Sequence, residues 1–521
     1  MRRCLYGMIM LMLVLCMGGC QKNQTYFNDS EESKTKETPD TGDAQAASKG
    51  AFQTADGEVH DELLEYLKRA KASKNKLVWI VSTPISGAWY DGELLAKFNE
   101  KLRKEKNLEL ELCYLPDDED KYGQRLQELL EKGYGDLCFS GEAQQWKTSF
   151  QDQKALVENG LVHDLGDMAG SKEERMIRDA FDEEEWNGVK ESEGTFFLPT
   201  QVFFAHRAYV AFSKKYIPQE KAGQFDGKLD SLLGYVDKKA EKELGRNTIV
   251  WNMSYYDTLS SLGICQLEGV WYSHETGEAA PAFSSDKWYS VFRMLHDCWE
   301  RDIMFRRIQW DSVSTELANK QIAKNEFAIA VFANDSLLDS VGDTAMVYEM
   351  PYYFSETGAG HTAVVEQSEK KQQVYSLLST LLGDSSYANL FILGEKGKDY
   401  TIKDGYAYDA EDEIPIGAHV AKSTFGISDM VHNAIGEEFG KDVKKGKKAY
   451  FSSKNCRISA LNGFRPNLGS VSNISDEKYL GIWKEKDFEK QYKAVREKFA
   501  QKQKKDIEIL NRQVREWKKT R

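Results

Sequence analysis

Short apolar runs alternate with amphipathic helical stretches along most of this chain, and that alternation limits its fold more than any other feature. Leu77–Val81 is an apolar run of strand length, and Gly92–Lys106 carries Leu94, Leu95, Phe98 and Leu102 at helical spacing. Leu108–Leu112 alternates Leu and Glu, the pattern of a half-exposed strand. Tyr122–Lys132 is helical again through Leu126, Leu129 and Leu130, with Gly133 as its C-cap, and Asp136–Phe139 is the next strand. Strands separated by helices of this length predict βαβ units, a parallel sheet and an α/β fold.

In such sheets ligands bind where loops leave the carboxyl ends of the strands. Trp89 and Tyr90 follow the first strand, and Glu142 follows the third. Trp251, Asn252 and Tyr255 follow Thr248–Val250, Asn334 and Asp335 follow Phe327–Phe332, and Tyr352 follows Ala345–Met350. Rings beside Asn, Asp and Glu suit a sugar, which presents an apolar face for stacking and a hydroxyl-rich edge for hydrogen bonds. The plainer reading of each ring is a core residue at a strand end. Trp89 and Trp251 are favoured as ligand contacts because small or polar residues flank them in expected loops.

The N-terminus reads as an address. Arg2 and Arg3 precede an apolar stretch, Leu5–Met17, too short to cross a bilayer as a permanent helix, and Gly18-Gly19-Cys20 follows. That ending resembles the lipobox of bacterial lipoproteins, which implies a signal peptide over 1–19 and an acylated Cys20. Residues 20–60 have few side chains able to bury apolar surface and are expected to be a disordered tether. The expected location is the extracellular face of the bacterial cytoplasmic membrane, held by lipid. Of the five cysteines beyond Cys20, Cys113 and Cys138 sit in apolar runs and read as buried small hydrophobes.

A formal net charge of −13, with no long basic block, argues against a nucleic-acid partner. The chain contains no HExxH, no GxSxG and no Cys/His cluster at zinc spacing. Gly397-Lys398-Asp399 lacks the glycine and the Ser/Thr of a phosphate loop. The acidic runs Asp117–Asp120 and Glu411–Glu413 lack the alternating oxygen spacing of a calcium loop and read as solvated turns. No catalytic residue, cofactor or metal is expected. A paired-carboxylate glycosidase stays open, because the separation of two carboxylates is a three-dimensional quantity.

The order of segments resembles the family 1 extracellular solute-binding proteins of bacterial ABC importers, in the maltose-binding-protein-like branch. Tyr122–Phe139 (YGQRLQELLEKGYGDLCF) is similar to that family's helix, Gly, Asp, strand segment, and Lys154–Leu165 (KALVENGLVHDL) to its G-x-x-x-D-L segment. Gly188–Val210, Ala318–Phe332 and Gly358–Val365 resemble its interlobe crossings, and Gly394–Gly405 (GEKGKDYTIKDG) resembles a stretch of its Gram-positive lipoproteins. The terminal helix, ending DIEILNRQVREWKKTR, is similar to the family's Q-x-x-x-W helix. The resemblance implies a two-lobed type II periplasmic-binding-protein-like fold with an interlobe cleft and a multi-crossing hinge. Lobe one would be 76–198 plus 330–362 and lobe two 200–328 plus 363–521, with crossings near Pro199, Phe332 and His361; Gln201, beside the first crossing, joins the ligand-contact candidates. It also implies a monomer that closes on an oligosaccharide and hands it to ABC permease subunits. The alternatives are a membrane-anchored carbohydrate-active enzyme and a two-lobed sensor or peptide-binding lipoprotein that transports nothing.

Overall fold

The computed structural model describes residues 61–82, 92–115, 122–140, 150–199, 207–306, 312–333, 337–356, 360–403, 406–410, 451–467 and 479–521, apart from Asp167, Ser192 and Glu268. Two sheets dominate. The first has four strands, β1 (Lys76–Ser82), β2 (Glu109–Leu115), β3 (Leu137–Phe139) and β13 (Thr362–Val364), in the order β13-β3-β1-β2. β1 runs parallel to both β2 and β3, and β13 closes one edge antiparallel to β3. The second has five, β4 (Tyr209–Ser213), β5 (Ile249–Asn252), β9 (Met304–Arg306), β10 (Ile329–Phe332) and β11 (Ala345–Glu349), in the order β11-β4-β10-β5-β9. Here β5 is parallel to β9 and β10, while β4 is antiparallel to β10 and β11.

Each sheet carries its own core. In the second sheet the two-residue side-chain period sorts the strands cleanly. Val210, Phe212, Ile249, Trp251, Ile329 and Val331 enter one core, with Trp288, Phe292 and Phe499 from helices Asp286–Glu300 and Phe488–Lys502. Tyr209, Ala211, Val250, Ala330 and Phe332 face the other way, against Ala318 and Ile322 of helix Ser312–Ala323. With both faces covered, the strands read as continuous apolar runs. β2 shows the same effect: Glu111 is buried rather than half exposed, and its carboxylate accepts from Lys76 Nζ at 3.1 Å.

The segments that carried the family resemblance have structural duties. Asp136, buried ahead of β3, accepts Val78 N–H (2.9 Å) and Ser368 Oγ–H (2.6 Å) and pairs with Lys370 at 3.3 Å, tying β1 to the chain after β13. Asp164 Oδ1 accepts the backbone N–H of Thr195 and of Gly166. In the GEKGKDY turn, Gly394 and Gly397 take φ of +87° and +85°, and Asp399 accepts from Glu395 N–H and Lys97 Nζ. Gln513 bonds both N–H and C=O of Asn467, and Trp517 packs on Phe464.

Two boundaries differ from the sequence expectation. β10 and β11, expected in lobe one with a crossing at Phe332, belong to the second sheet, because β10 is apolar on both faces and inserts between β4 and β5. Helices Lys371–Gly383 and Ser385–Ile392, expected in lobe two, bury Val374, Leu377, Leu378, Leu381 and Phe391 in the core of the first sheet.

Smaller sheets complete the fold. β6 (Ile264–Leu267), β7 (Val270–Ser273) and β8 (Ala279–Ala280) form an antiparallel meander, which packs on Leu461, Phe464 and the terminal helix Lys504–Thr520. β12 (Tyr352–Phe354) pairs in parallel with β16 (Cys456–Ile458), and β14 (Tyr400–Lys403) with β15 (Tyr406–Asp409) makes a hairpin. Cys113, Cys138, Cys265, Cys298 and Cys456 are free thiols. No helix among the described residues is long and apolar enough to cross a membrane.

Candidate ligand site at the carboxyl ends of two sheets

Both sheets contain a point where strand order reverses. The chain leaves β1 toward β2 on one side, and β3 lies on the other; β5 is likewise flanked by β9 and β10. A crevice opens beyond the carboxyl ends of strands at such a reversal, because the flanking connections depart to opposite faces.

Of the predicted contacts, Trp89, Tyr90, Glu142, Gln201, Asn334 and Asp335 lie outside the described residues, as does Cys20. The described ends next to them are Ser82 of β1, Ser140 after β3 and Ala333 after β10. Trp251, Asn252, Tyr255 and Tyr352 are described, and only Asn252 keeps the features of a contact.

Trp251 is a core residue. β5 runs two residues beyond Val250, so Trp251 pairs with Val331 and Arg306 inside the sheet and is fully buried on the side of helix Asp286–Glu300. Tyr255 is also buried: its hydroxyl accepts Trp271 Nε1–H at 3.2 Å and its ring meets Trp288 edge-on. Tyr352 is taken up by the β12–β16 pairing, and burial pushes its phenol up to about 12.

Asn252 is the last residue of β5. Its Nδ2 donates to Asn319 Oδ1 at 2.7 Å, and its buried Oδ1 has no partner among the described residues. Ser254 then starts helix Tyr255–Ser261 with a capping box, its Oγ accepting Asp257 N–H while the Asp257 carboxylate accepts Ser254 N–H. That first turn holds Tyr256 41% exposed, its ring propped 5.1 Å from the ring of Tyr255. The alternation of solvated and buried faces along a helix separates these neighbours; the sequence could offer only an aromatic pair after a strand.

At the carboxyl end of β3 the structure gathers residues that sequence reading missed. Ser140 Oγ accepts the backbone N–H of His361 and Gln153 Nε2–H, each at 3.0 Å. Gln153 Oε1 in turn accepts Arg465 Nε–H at 2.7 Å, and Arg465 Nη1 pairs with Glu191. The Arg465 guanidinium also lies over the Phe197 ring at 5.5 Å. His361 is completely buried with Nδ1 at Leu198 O; burial, helped by the charge of Arg465, holds its imidazole down at about 3, so it is neutral. Of this group the sequence marks only His361, as a crossing. Arg465 lies more than 300 residues from Gln153 in sequence, and no local pattern links them.

Among the described residues no group of three or more His, Cys, Asp or Glu is placed to hold a metal ion. The arrangement offers hydrogen-bonding edges and an exposed ring, the means to hold a polar solute.

No protein-family model matches the chain, and no curated protein sequence does. Solved structures align with it. The N-glycan transport solute binding protein NgtS from Streptococcus pneumoniae aligns over 85% of this chain and 99% of its own, with a TM-score of 0.51 at 14% identity. An HMO binding ABC-transporter associated solute binding protein from Bifidobacterium longum infantis aligns over 85% and 99%, at 0.44 and 13%. The galacto-N-biose-/lacto-N-biose I-binding protein from Bifidobacterium longum aligns over 85% and 98%, at 0.39 and 12%. The two sheets, each with its own core and its own strand reversal, are the two-lobed α/β fold that this chain shares with an ABC-transporter solute-binding protein.

Proposed function

We propose that this protein is an extracellular solute-binding lipoprotein that captures a carbohydrate between its lobes and delivers it to an ABC importer. One observation carries the reading: a fold matched along 99% of the NgtS chain presents a strand reversal on each of two sheets, with unpaired polar atoms and an exposed tyrosine at the carboxyl ends. The N-glycan transport role of NgtS makes oligosaccharides the first solutes to try. Trp89, Tyr90, Glu142, Gln201, Asn334 and Asp335 remain proposed contacts from the loops at these ends. The protein binds its solute without altering it, and anchoring is by acyl chains on Cys20.

A thermal-shift screen of the full chain against mono-, di- and oligosaccharides, with peptides as controls, tests this. A ligand that binds only the folded state adds about 2.7 kcal/mol at 100 times its dissociation constant. The reading requires a shift with a glycan class and recovery of that glycan intact. A shift with peptides alone removes the sugar, and a cleaved glycan makes the protein an enzyme.

A further inference from the structure

Arg465 sits on a segment held by both lobes, since Asn462 and Gly463 also meet helix Glu183–Val189 beside the first sheet's core. Its segment is fixed to the β6–β8 meander: Ala460 N–H donates to His274 O at 2.7 Å, and Leu461 and Phe464 are buried beside Tyr272 and Leu510. From there it reaches the carboxyl end of β3, in the first sheet. Three contacts immobilise the guanidinium there, the Glu191 carboxylate, the Gln153 amide oxygen and the Phe197 ring. The side chain is 10% exposed, yet Nη2 is buried and has no hydrogen-bond partner among the described residues. A buried donor left unmade is costly, and a native structure tolerates one where water, an ion or a ligand completes it.

We infer that Arg465 is a ligand-recognising residue at the β3 end of the site, whose Nη2–H donates to an oxygen of a neutral solute. This rests on the carbohydrate reading above and deepens it. The neutral class follows from the surrounding charge. Glu191 compensates Arg465, and the nearby Arg521 feels Glu191 and Glu184 as well as Arg465, so these described side chains carry no net positive excess to attract an anion. His361 is neutral and adds no charge. Gln153 is a positioning residue: it holds Nε and thereby aims Nη2.

The test compares the full chain with Arg465→Lys and Gln153→Leu against trisaccharides of glucose, mannose and N-acetylglucosamine, plus a trisaccharide of galacturonic acid. Arg465→Lys keeps an ion pair with Glu191 but loses the Nη2 donor. It is expected to weaken the neutral trisaccharide that wild type binds by at least about tenfold, with the ligand-free unfolding midpoint within about 3 °C of wild type. Gln153→Leu leaves the guanidinium present but less well aimed, and a loss of about three- to fivefold is expected. Unchanged affinity in Arg465→Lys overturns the inference while the sugar reading stands. Tighter binding of the acidic trisaccharide by wild type overturns the neutral class. If no trisaccharide shifts wild type, the carbohydrate reading falls and the inference with it.

Discussion

Trp251 and Tyr256 are five residues apart and in opposite surroundings, one sealed between sheet and helix, the other 41% exposed on the first turn after the strand. Trp251→Ala is therefore expected to cost about 3–5 kcal/mol in denaturant unfolding, the range for truncating a fully buried large aromatic. Tyr256→Ala is expected to leave stability nearly unchanged and weaken the glycan by about 1 kcal/mol through lost stacking, as read by calorimetric titration. A tryptophan that proves thermally silent would contradict its place in the core. The sequence favoured Trp251 as a contact because the apolar run ended at Val250; hydrogen-bond pairing extends the strand to Asn252, and one or two residues decide which way a side chain points. The buried histidines give a pH signature. His274 and His361 are neutral in the fold, burial holding each imidazole at about 3, whereas the unfolded chain protonates them near 6.5. Between those values the unfolded state binds more protons, so stability falls as pH drops from 6.5 toward 3. Denaturation midpoints at about pH 7 and about pH 5 should separate accordingly, and the gap should narrow in His274→Asn.

Among elements, the β1–β3 half of the first sheet was legible because each strand is an apolar run flanked by helices of ordinary length. Amphipathy announced a buried face on the helix Lys371–Gly383, but not which of two cores would receive it, and so the lobe boundaries were misplaced. The β12–β16 pairing joins segments about 100 residues apart and carries no periodic signal. The segment around Asn462 is the clearest case of an element whose role appears only in three dimensions. Asn462 Oδ1 accepts Glu356 N–H, its Nδ2 donates to Glu184 O, and Gly463 at φ +83° lies where a Cβ would sit 2.7 Å from Gly188 O. Gly463→Ala meets both the left-handed backbone and that carbonyl. It should lower stability by about 1–3 kcal/mol in denaturant titration, and a neutral result would mean that the contact with helix Glu183–Val189 is loose.

For the molecule as a whole, the alternation of strands and helices was enough to predict an α/β architecture, and the order of segments its two lobes. The chemistry at the β3 end was not legible, because its members come from residues 140, 153, 361 and 465 and meet only after folding. The central claim is that one solute is held at the carboxyl ends of both sheets at once. Hydrogen exchange read by mass spectrometry on the full chain, with and without the glycan selected by thermal shift, addresses it most directly. Protection is predicted in peptides spanning 83–91 and 140–149 from the first sheet and 252–256 and 333–336 from the second, appearing together as the glycan saturates. Protection confined to one sheet, or lying at the amino ends of these strands, would contradict the account.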